Sequence, residues 1–256
     1  MSAIEVIPVR AFNDNYIWTL VKGGNAAVVD PGDAAPVLEY LRAHKLALTA
    51  ILNTHHHADH VGGNEELLRH FKVPVYGPHD ERIATVTRRV REGDRITVDG
   101  IGVELSVLEI PAHTRSHISF HNDDMVFCGD TLFACGCGRI FEGTPAQMYA
   151  ALTKLMALPD RTRVYCGHEY TLSNIRFALA AEPDNAAIAD WEREAAAQRA
   201  RGEVTLPSTI AREKAANPFV RCDQPGVIAS ASKRAGRALA DATSVLAEIR
   251  DWKNHF

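Results

Sequence analysis

Thr54-His55-His56-His57-Ala58-Asp59-His60-Val61-Gly62-Gly63 gathers five metal-capable side chains into the six positions from His55 to His60. It follows Ala50-Ile51-Leu52, an apolar run that reads as a buried strand opening into a loop. Imidazole nitrogens suit zinc and other borderline divalent ions, and a carboxylate among them hardens the site toward hydrolytic chemistry. The stretch therefore predicts a strand-end loop built around metal, with hydrolysis at two ions as its chemistry.

The second ion follows from spacing. His55 and His57 are two apart, so in extended chain both rings can turn to one side toward a single ion, while Asp59 and His60 face another direction. Four donors from one short loop do not close comfortably around one tetrahedral ion, and a second ion nearby is the simpler arrangement. The remaining ligands must come from elsewhere. Three positions at the ends of strand-like stretches qualify: His113 in Ile110-Pro111-Ala112-His113-Thr114, Asp130 in Cys128-Gly129-Asp130-Thr131, and His168 in Cys166-Gly167-His168-Glu169-Tyr170. Singly, Asp130 also reads as a turn cap and either histidine as a satisfied structural residue. Beside the histidine run, the joint metal reading is the stronger.

Around these motifs the first two thirds of the chain read as short strands broken by Gly, Asn, Asp and Pro: Ile4 to Val9, Tyr16 to Val21, Ala26 to Asp30, Ala50 to Leu52, Val73 to Tyr76, Val103 to Ile110, His117 to His121, Met125 to Cys128 and Arg163 to Cys166. Helices are expected over Ala34 to His44, Asn64 to Phe71 and Thr144 to Ala157, the last with Pro145 in its first turn. The cluster Arg88-Arg89-Val90-Arg91 reads as an exposed loop or strand edge. After Glu169 alanine-rich helical spacing takes over. Ile188, Trp191 and Ala195 share one helical face and Val245, Leu246, Ile249 and Trp252 another, with Pro207, Pro218, Pro225 and Gly226 as breaks. Sheets covered by helices, then a helical segment from about residue 170, are the expected organisation.

At 256 residues the chain has room for two unequal domains at about 150 residues each. Hydrophobic residues at 46% and charged residues at 23% exclude a disordered or fibrous chain. A net charge of -4, from 28 basic and 32 acidic residues, supplies no field for nucleic acid. Glu5 and Pro8 interrupt the apolar core a secretory signal needs, and no uncharged apolar run reaches the roughly 18 residues of a membrane span. Five cysteines, at 128, 135, 137, 166 and 222 without a C-x-x-C pair, fit reduced thiols, so a cytoplasmic protein is expected. Cys135-Gly136-Cys137 is unlike the usual zinc spacing and reads as ordinary thiols.

The pattern Thr-His-x-His-x-Asp-His-x-Gly-Gly with the later His, Asp and His resembles the metallo-beta-lactamase superfamily. Further segments, Phe12-Asn13-Asp14-Asn15-Tyr16, Gly129-Asp130-Thr131-Leu132-Phe133, Gly136-Cys137-Gly138-Arg139, Phe141-Glu142-Gly143-Thr144, Gly167-His168-Glu169-Tyr170-Thr171 and Asn217-Pro218-Phe219, narrow the resemblance to the glyoxalase II (hydroxyacylglutathione hydrolase) family across nearly the whole chain. The resemblance implies an α+β fold: a four-layer αββα sandwich as catalytic domain over 1–170, and a smaller all-helical glutathione-binding domain over 171–256. It implies that His55, His57 and His113 hold one ion, that Asp59, His60 and His168 hold the other, and that Asp130 bridges them with a water or hydroxide. Two divalent cations are implied, zinc first, with iron or manganese compatible with the mixed N and O ligands. His56 matches no ligand role.

The activity implied is splitting of S-D-lactoylglutathione into glutathione and D-lactate, the second step of methylglyoxal detoxification, with metal-bound hydroxide as nucleophile and Asp59 and Asp130 as the carboxylates at the reacting centre. The leaving thiolate, from a thiol of pKa about 8.5, departs without a strong general acid. Glutathione carries two carboxylates and calls for basic groups. Arg139 matches a basic position of the family's pocket, Tyr170 offers a hydroxyl, and Arg250 and Lys253 lie one helical turn apart, so both heads can point at one anionic group. Arg139 and Phe141 stand where some members carry lysine and tyrosine. A monomer acting on a small-molecule thioester, with no nucleic-acid or membrane partner, is expected. The rival readings are a single-iron glutathione persulfide dioxygenase and another hydrolase of the same fold, a lactamase among them. A closed structural metal module fits poorly with a site so poor in cysteine.

Overall fold

The structure, a computed structural model, describes residues 3–256, so the first two positions of the domain expected over 1–170 lie outside the described residues. The chain forms two compact units. The first runs to Glu109 and adds Ser116–Asn122 and Val126–Gly129; the second comprises Ile110–Arg115, Asp123–Met125 and Asp130–Phe256.

The first unit opens with strands β1 (Glu5–Ala11), β2 (Asn15–Lys22) and β3 (Asn25–Val29), paired antiparallel in that order. Helix α1 (Ala34–His44) carries the chain over to β4 (Ala47–Leu52), parallel to β3. The helix starts where Asp33 accepts the Ala35 N–H and ends at Lys45, whose left-handed backbone (φ 53) lets its N–H bond back into the last turn. Its Ala34, Val37 and Leu41 face pack with Val9, Ile17, Val28 and Ile51 in one apolar cluster, at roughly 1.5–3 kcal/mol for each large side chain withdrawn from water. Short helices α2 (Ala58–Val61) and α3 (Asn64–His70) follow, and β5 (Val75–Gly77) and β6 (Arg88–Arg89) extend the sheet in parallel. The arginine cluster thus forms the sheet's edge, where charge discourages further strand pairing. Strands β7 (Arg95–Val98), β8 (Val103–Glu109), β9 (Ile118–His121) and β10 (Met125–Gly129) pair antiparallel in sequence order.

The second unit carries the small hairpin β11 (Leu132–Phe133) and β12 (Gly136–Cys137), helix α4 (Pro145–Met156), and β13 (Arg163–Cys166). It continues through α5 (Thr171–Ala181), α6 (Ala186–Ala200), β14 (Ser208–Thr209), α7 (Ile210–Ala216), α8 (Pro225–Ala235) and α9 (Ala242–Asn254). Strand β14 pairs with β13, so a strand exists beyond Glu169, where helical spacing alone was expected. Thr144 closes a capping box with Gln147 at the start of α4. Buried Ile188, Trp191 and Ala195 in α6, and Val245, Leu246 and Ile249 in α9, match the helical faces read from the sequence, except that Trp252 of the second face is only half-buried. All five cysteines are buried and outside any disulfide, and burial pushes the Cys135, Cys137, Cys166 and Cys222 thiols up. Among the described residues no helix is long and apolar enough to cross a membrane.

Candidate metal centre

Strand β4 ends at Leu52 and delivers the histidine run, as its apolar sequence predicts. His55 and His60 are buried, while Asp59 keeps 41% of its side chain exposed. His55 Nε2 and His57 Nδ1 stand 3.2 Å apart. Two ring nitrogens this close fit a donor pair turned toward one cation.

The run is held by residues outside the ligand set expected from the sequence. Asp30, at the end of β3, accepts Thr54 N–H at 2.7 Å and the Thr54 hydroxyl at 2.6 Å, and its Oδ2 lies 3.1 Å from His60 Nδ1. Its backbone sits at φ 52, a left-handed conformation that asparagine and aspartate tolerate better than most side chains. Tying Nδ1 to a carboxylate turns His60 Nε2 toward a metal, the usual arrangement behind a ligating histidine. Thr54 Oγ1 lies 3.0 Å from His55 Nδ1 and does the same there. His117, fully buried, stacks on His55 at 4.5 Å and 15°. Asn15 donates from Nδ2 to Asp59 Oδ2 at 3.0 Å. His56 points elsewhere, its Nδ1 lying 3.7 Å from Asp80 Oδ2. Asp80 is bound by Arg82 and the Ser116 hydroxyl, and chiefly the Arg82 hydrogen bond holds its carboxyl well below the ordinary range.

Within the second unit Asp130 Oδ2 lies 3.6 Å from His113 Nε2 and 3.3 Å from His168 Nε2. His113 Nδ1 is tied to the Arg139 carbonyl at 2.9 Å. Gly138 is required here, because a Cβ on it would stand 1.8 Å from the Asp130 carbonyl oxygen. Tyr170 stacks flat on His168 at 4.8 Å. Among the described residues of the first unit, Asp30, His55 and His60 each offer one ligand atom within 4.8 Å of the others. The donors are imidazole nitrogen and carboxylate oxygen on buried or half-buried side chains, a set that fits a divalent cation.

The basic residues read from the sequence take separate partners. Arg250 is buried, donates to the Cys137 carbonyl at 2.7 Å and lies over the Phe219 ring. Lys253 donates to the Ser173 carbonyl at 3.0 Å, and burial, with Arg250 and Arg176 nearby, lowers its ammonium to about 8. The two heads thus do not share a partner. Arg250 and Arg139 do line one cavity of about 450 Å³, with Phe141, Asn254 and His255. Asp30, Asn15, His117 and Asp80 are not among the site residues read from the sequence; the available signals were a carboxylate closing the apolar run Ala26 to Val29, for Asp30, and the place of Asn15 in the Phe12 to Tyr16 segment that carries the resemblance.

Two family models cover the chain: the metallo-beta-lactamase superfamily over residues 13–168 and the hydroxyacylglutathione hydrolase C-terminus over 169–256. A hydroxyacylglutathione hydrolase of Nitrosomonas europaea is 54% identical over 99% of this chain and 97% of its own. The crystal structure of ETHE1 from Myxococcus xanthus matches with a TM-score of 0.65 at 25% identity, covering 98% of both chains. TTHA1623 in a di-iron-bound form matches with a TM-score of 0.55 at 30% identity, over 64% of this chain and 92% of that one. The α+β fold implied by the sequence resemblance is that of these relatives.

Proposed function

This chain belongs to the hydroxyacylglutathione hydrolase family within the metallo-beta-lactamase superfamily, and on that premise we propose how its residues carry the reaction. The activity is hydrolysis of the thioester of a hydroxyacylglutathione, S-D-lactoylglutathione giving glutathione and D-lactate. His55, His57 and His113 hold one divalent cation and Asp59, His60 and His168 a second, with Asp130 shared between them. Zinc is the first choice and iron or manganese the alternatives, because the nitrogen and oxygen donors accept all of them. The observation that carries this assignment is Asp130 Oδ2 within 3.6 Å of one histidine from each triad, His113 and His168.

When bound, a pair of divalent cations brings the pKa of water toward neutrality and polarises the carbonyl under attack. The protein's own work is placement. Asp30 and Thr54 fix the tautomers of His60 and His55 by engaging Nδ1, and the Arg139 carbonyl does so for His113. The thiolate of glutathione leaves without a proton donor, its parent thiol having a pKa of about 8.5. Arg139, Arg250, Lys253 and Tyr170 bind the tripeptide, the arginines presenting planar donors to its carboxylates. The cavity that Arg139 and Arg250 line in part, about 450 Å³, is of a size for a small ligand. A functional division near residue 170 is supported by the two family-model matches meeting at 168 and 169. The five buried thiols are in keeping with a reducing cytoplasm, and we take the working form to be a monomer.

The test is steady-state hydrolysis of S-D-lactoylglutathione beside other thioesters, with metal content measured on the same samples. Thioester cleavage at about two metal ions per chain is expected, with loss of both metal and activity in Asp130→Ala. A fully metallated, active Asp130→Ala removes the shared carboxylate from the scheme. Oxygen consumption coupled to turnover of glutathione persulfide would overturn the hydrolase reading altogether.

A further inference from the structure

The segment Phe12-Asn13-Asp14-Asn15 supplies no metal ligand, yet it is held in an uncommon conformation. Strand pairing of Ala11 with Asn15 leaves a three-residue connection, and Phe12 enters it at φ 50 with 60% of its surface exposed. A bulky residue in the left-handed region stays there only when its surroundings impose it. What the turn secures is Asn15. Only 7% exposed, Asn15 directs Nδ2 at Asp59, 3.0 Å from Oδ2 and 3.4 Å from the main-chain oxygen. Gly32 passes so close to Asp59 that a Cβ there would stand 1.9 Å from the same main-chain oxygen. Asp59 is thus held at its main-chain oxygen and at one carboxylate oxygen by the Asn15 amide.

We propose that Asn15 is the positioning residue of Asp59 and sets the affinity of the second cation, the one assigned to Asp59, His60 and His168, while leaving the first unchanged. This rests on the two-cation reading above. Asp59 has 41% of its side chain exposed, and a carboxylate with that much freedom must lose rotamer entropy before it can ligate. The Asn15 amide holds it in place beforehand. An uncharged donor is well suited here, because it orients the carboxylate without neutralising the charge that attracts the cation, as a lysine in its place would. Removing such outer partners typically weakens metal binding about 10- to 100-fold.

Metal-free wild type, Asn15→Ala and Asn15→Asp are titrated with zinc against a chromophoric chelator, and with cobalt followed by its visible absorption, with thermal melts of the metal-free forms alongside. Asn15→Asp keeps the side-chain size and removes both amide donors. Two ions in the wild type are expected, and in both variants one ion at wild-type affinity with the other weakened about 10- to 100-fold. Two ions of unchanged affinity in the variants overturn the inference, as does equal weakening of both. If Asn15→Ala does not fold, Asn15→Asp is the deciding variant. If neither folds without metal, Asn15 belongs to the fold and the inference fails. A wild type that binds fewer than two ions overturns the two-cation reading instead, a result separable from the others.

Discussion

Asp30 braces the histidine run from outside the ligand set proposed above. Its carboxylate accepts from the buried Thr54 N–H and hydroxyl and engages His60 Nδ1, so Asp30→Ala strands buried polar groups at about 1–3 kcal/mol each. We expect that variant to lose about 3 kcal/mol of stability in the metal-free state and about 10- to 100-fold in metal affinity. Urea melts and chelator competition check both, and unchanged values in either would contradict the orienting role. Arg250 joins two roles in the same way. Arg250→Ala should raise KM for glutathione thioesters with little change in kcat. It should also lower stability by about 1 kcal/mol, because the bond to the Cys137 carbonyl is lost. An unchanged KM would remove Arg250 from the glutathione pocket. The candidate ligands were legible in the sequence because histidines and aspartates crowd one loop and recur at strand ends. Asp30 and Asn15 were not, since each works on a residue 30 and 44 positions away and each alone reads as a turn residue.

At the scale of elements, long periodic segments were legible and short ones were not. Helix α1 spans Ala34–His44 and β13 spans Arg163–Cys166, both as read from sequence. The two-residue strands β6, β11, β12 and β14 have no period to read, and tertiary pairing alone defines them. The junction of β14 and α7 carries a pH-dependent prediction. Glu213, fully buried in α7, accepts from Ser208 Oγ, from Asn217 Nδ2 at 2.9 Å and from Cys135 N–H at 3.0 Å. Burial outweighs these donors and pushes the carboxyl from 4.5 up to about 7. A pKa raised on folding means the folded state binds the proton more tightly. Its stabilising contribution is therefore complete below the unfolded value and lost as pH rises through about 7. Relative to Glu213→Gln, which cannot titrate, the wild type should lose stability on the order of 2–3 kcal/mol between about pH 5 and 8. Denaturant melts of both proteins across that window are the measurement, and parallel pH profiles would show that Glu213 does not titrate there.

At the scale of the whole chain, the family-model boundary at residues 168 and 169 does not coincide with a boundary of folding, because the second compact unit is continuous from Asp130 to Phe256. Four side chains from the helical segment hold the main chain just beyond candidate ligand Asp130. Asn174 donates to the Ala134 carbonyl at 3.0 Å and Asn217 to that of Gly136 at 2.9 Å, Glu213 accepts Cys135 N–H, and Arg250 donates to the Cys137 carbonyl. Gly136 admits this approach because a Cβ there would meet Asn174 Nδ2 at 2.5 Å. A chain cut after residue 170 removes the side-chain partner of each of these four buried backbone groups, at about 1–3 kcal/mol for each one left unsatisfied. That sum rivals the whole stability of an ordinary domain, about 5–15 kcal/mol. Residues 1–170 alone should therefore show no cooperative thermal transition by circular dichroism, and limited proteolysis should cut them readily under conditions in which the full chain resists. Saturating zinc should not restore the transition, since the β11 and β12 hairpin beside Asp130 lacks its supports whether or not a cation is offered. A sharp melt from the fragment, or zinc affinity equal to that of the full chain, would mean that the helical segment serves substrate binding alone and that the histidine loop and Asp130 reach their ligand geometry without it.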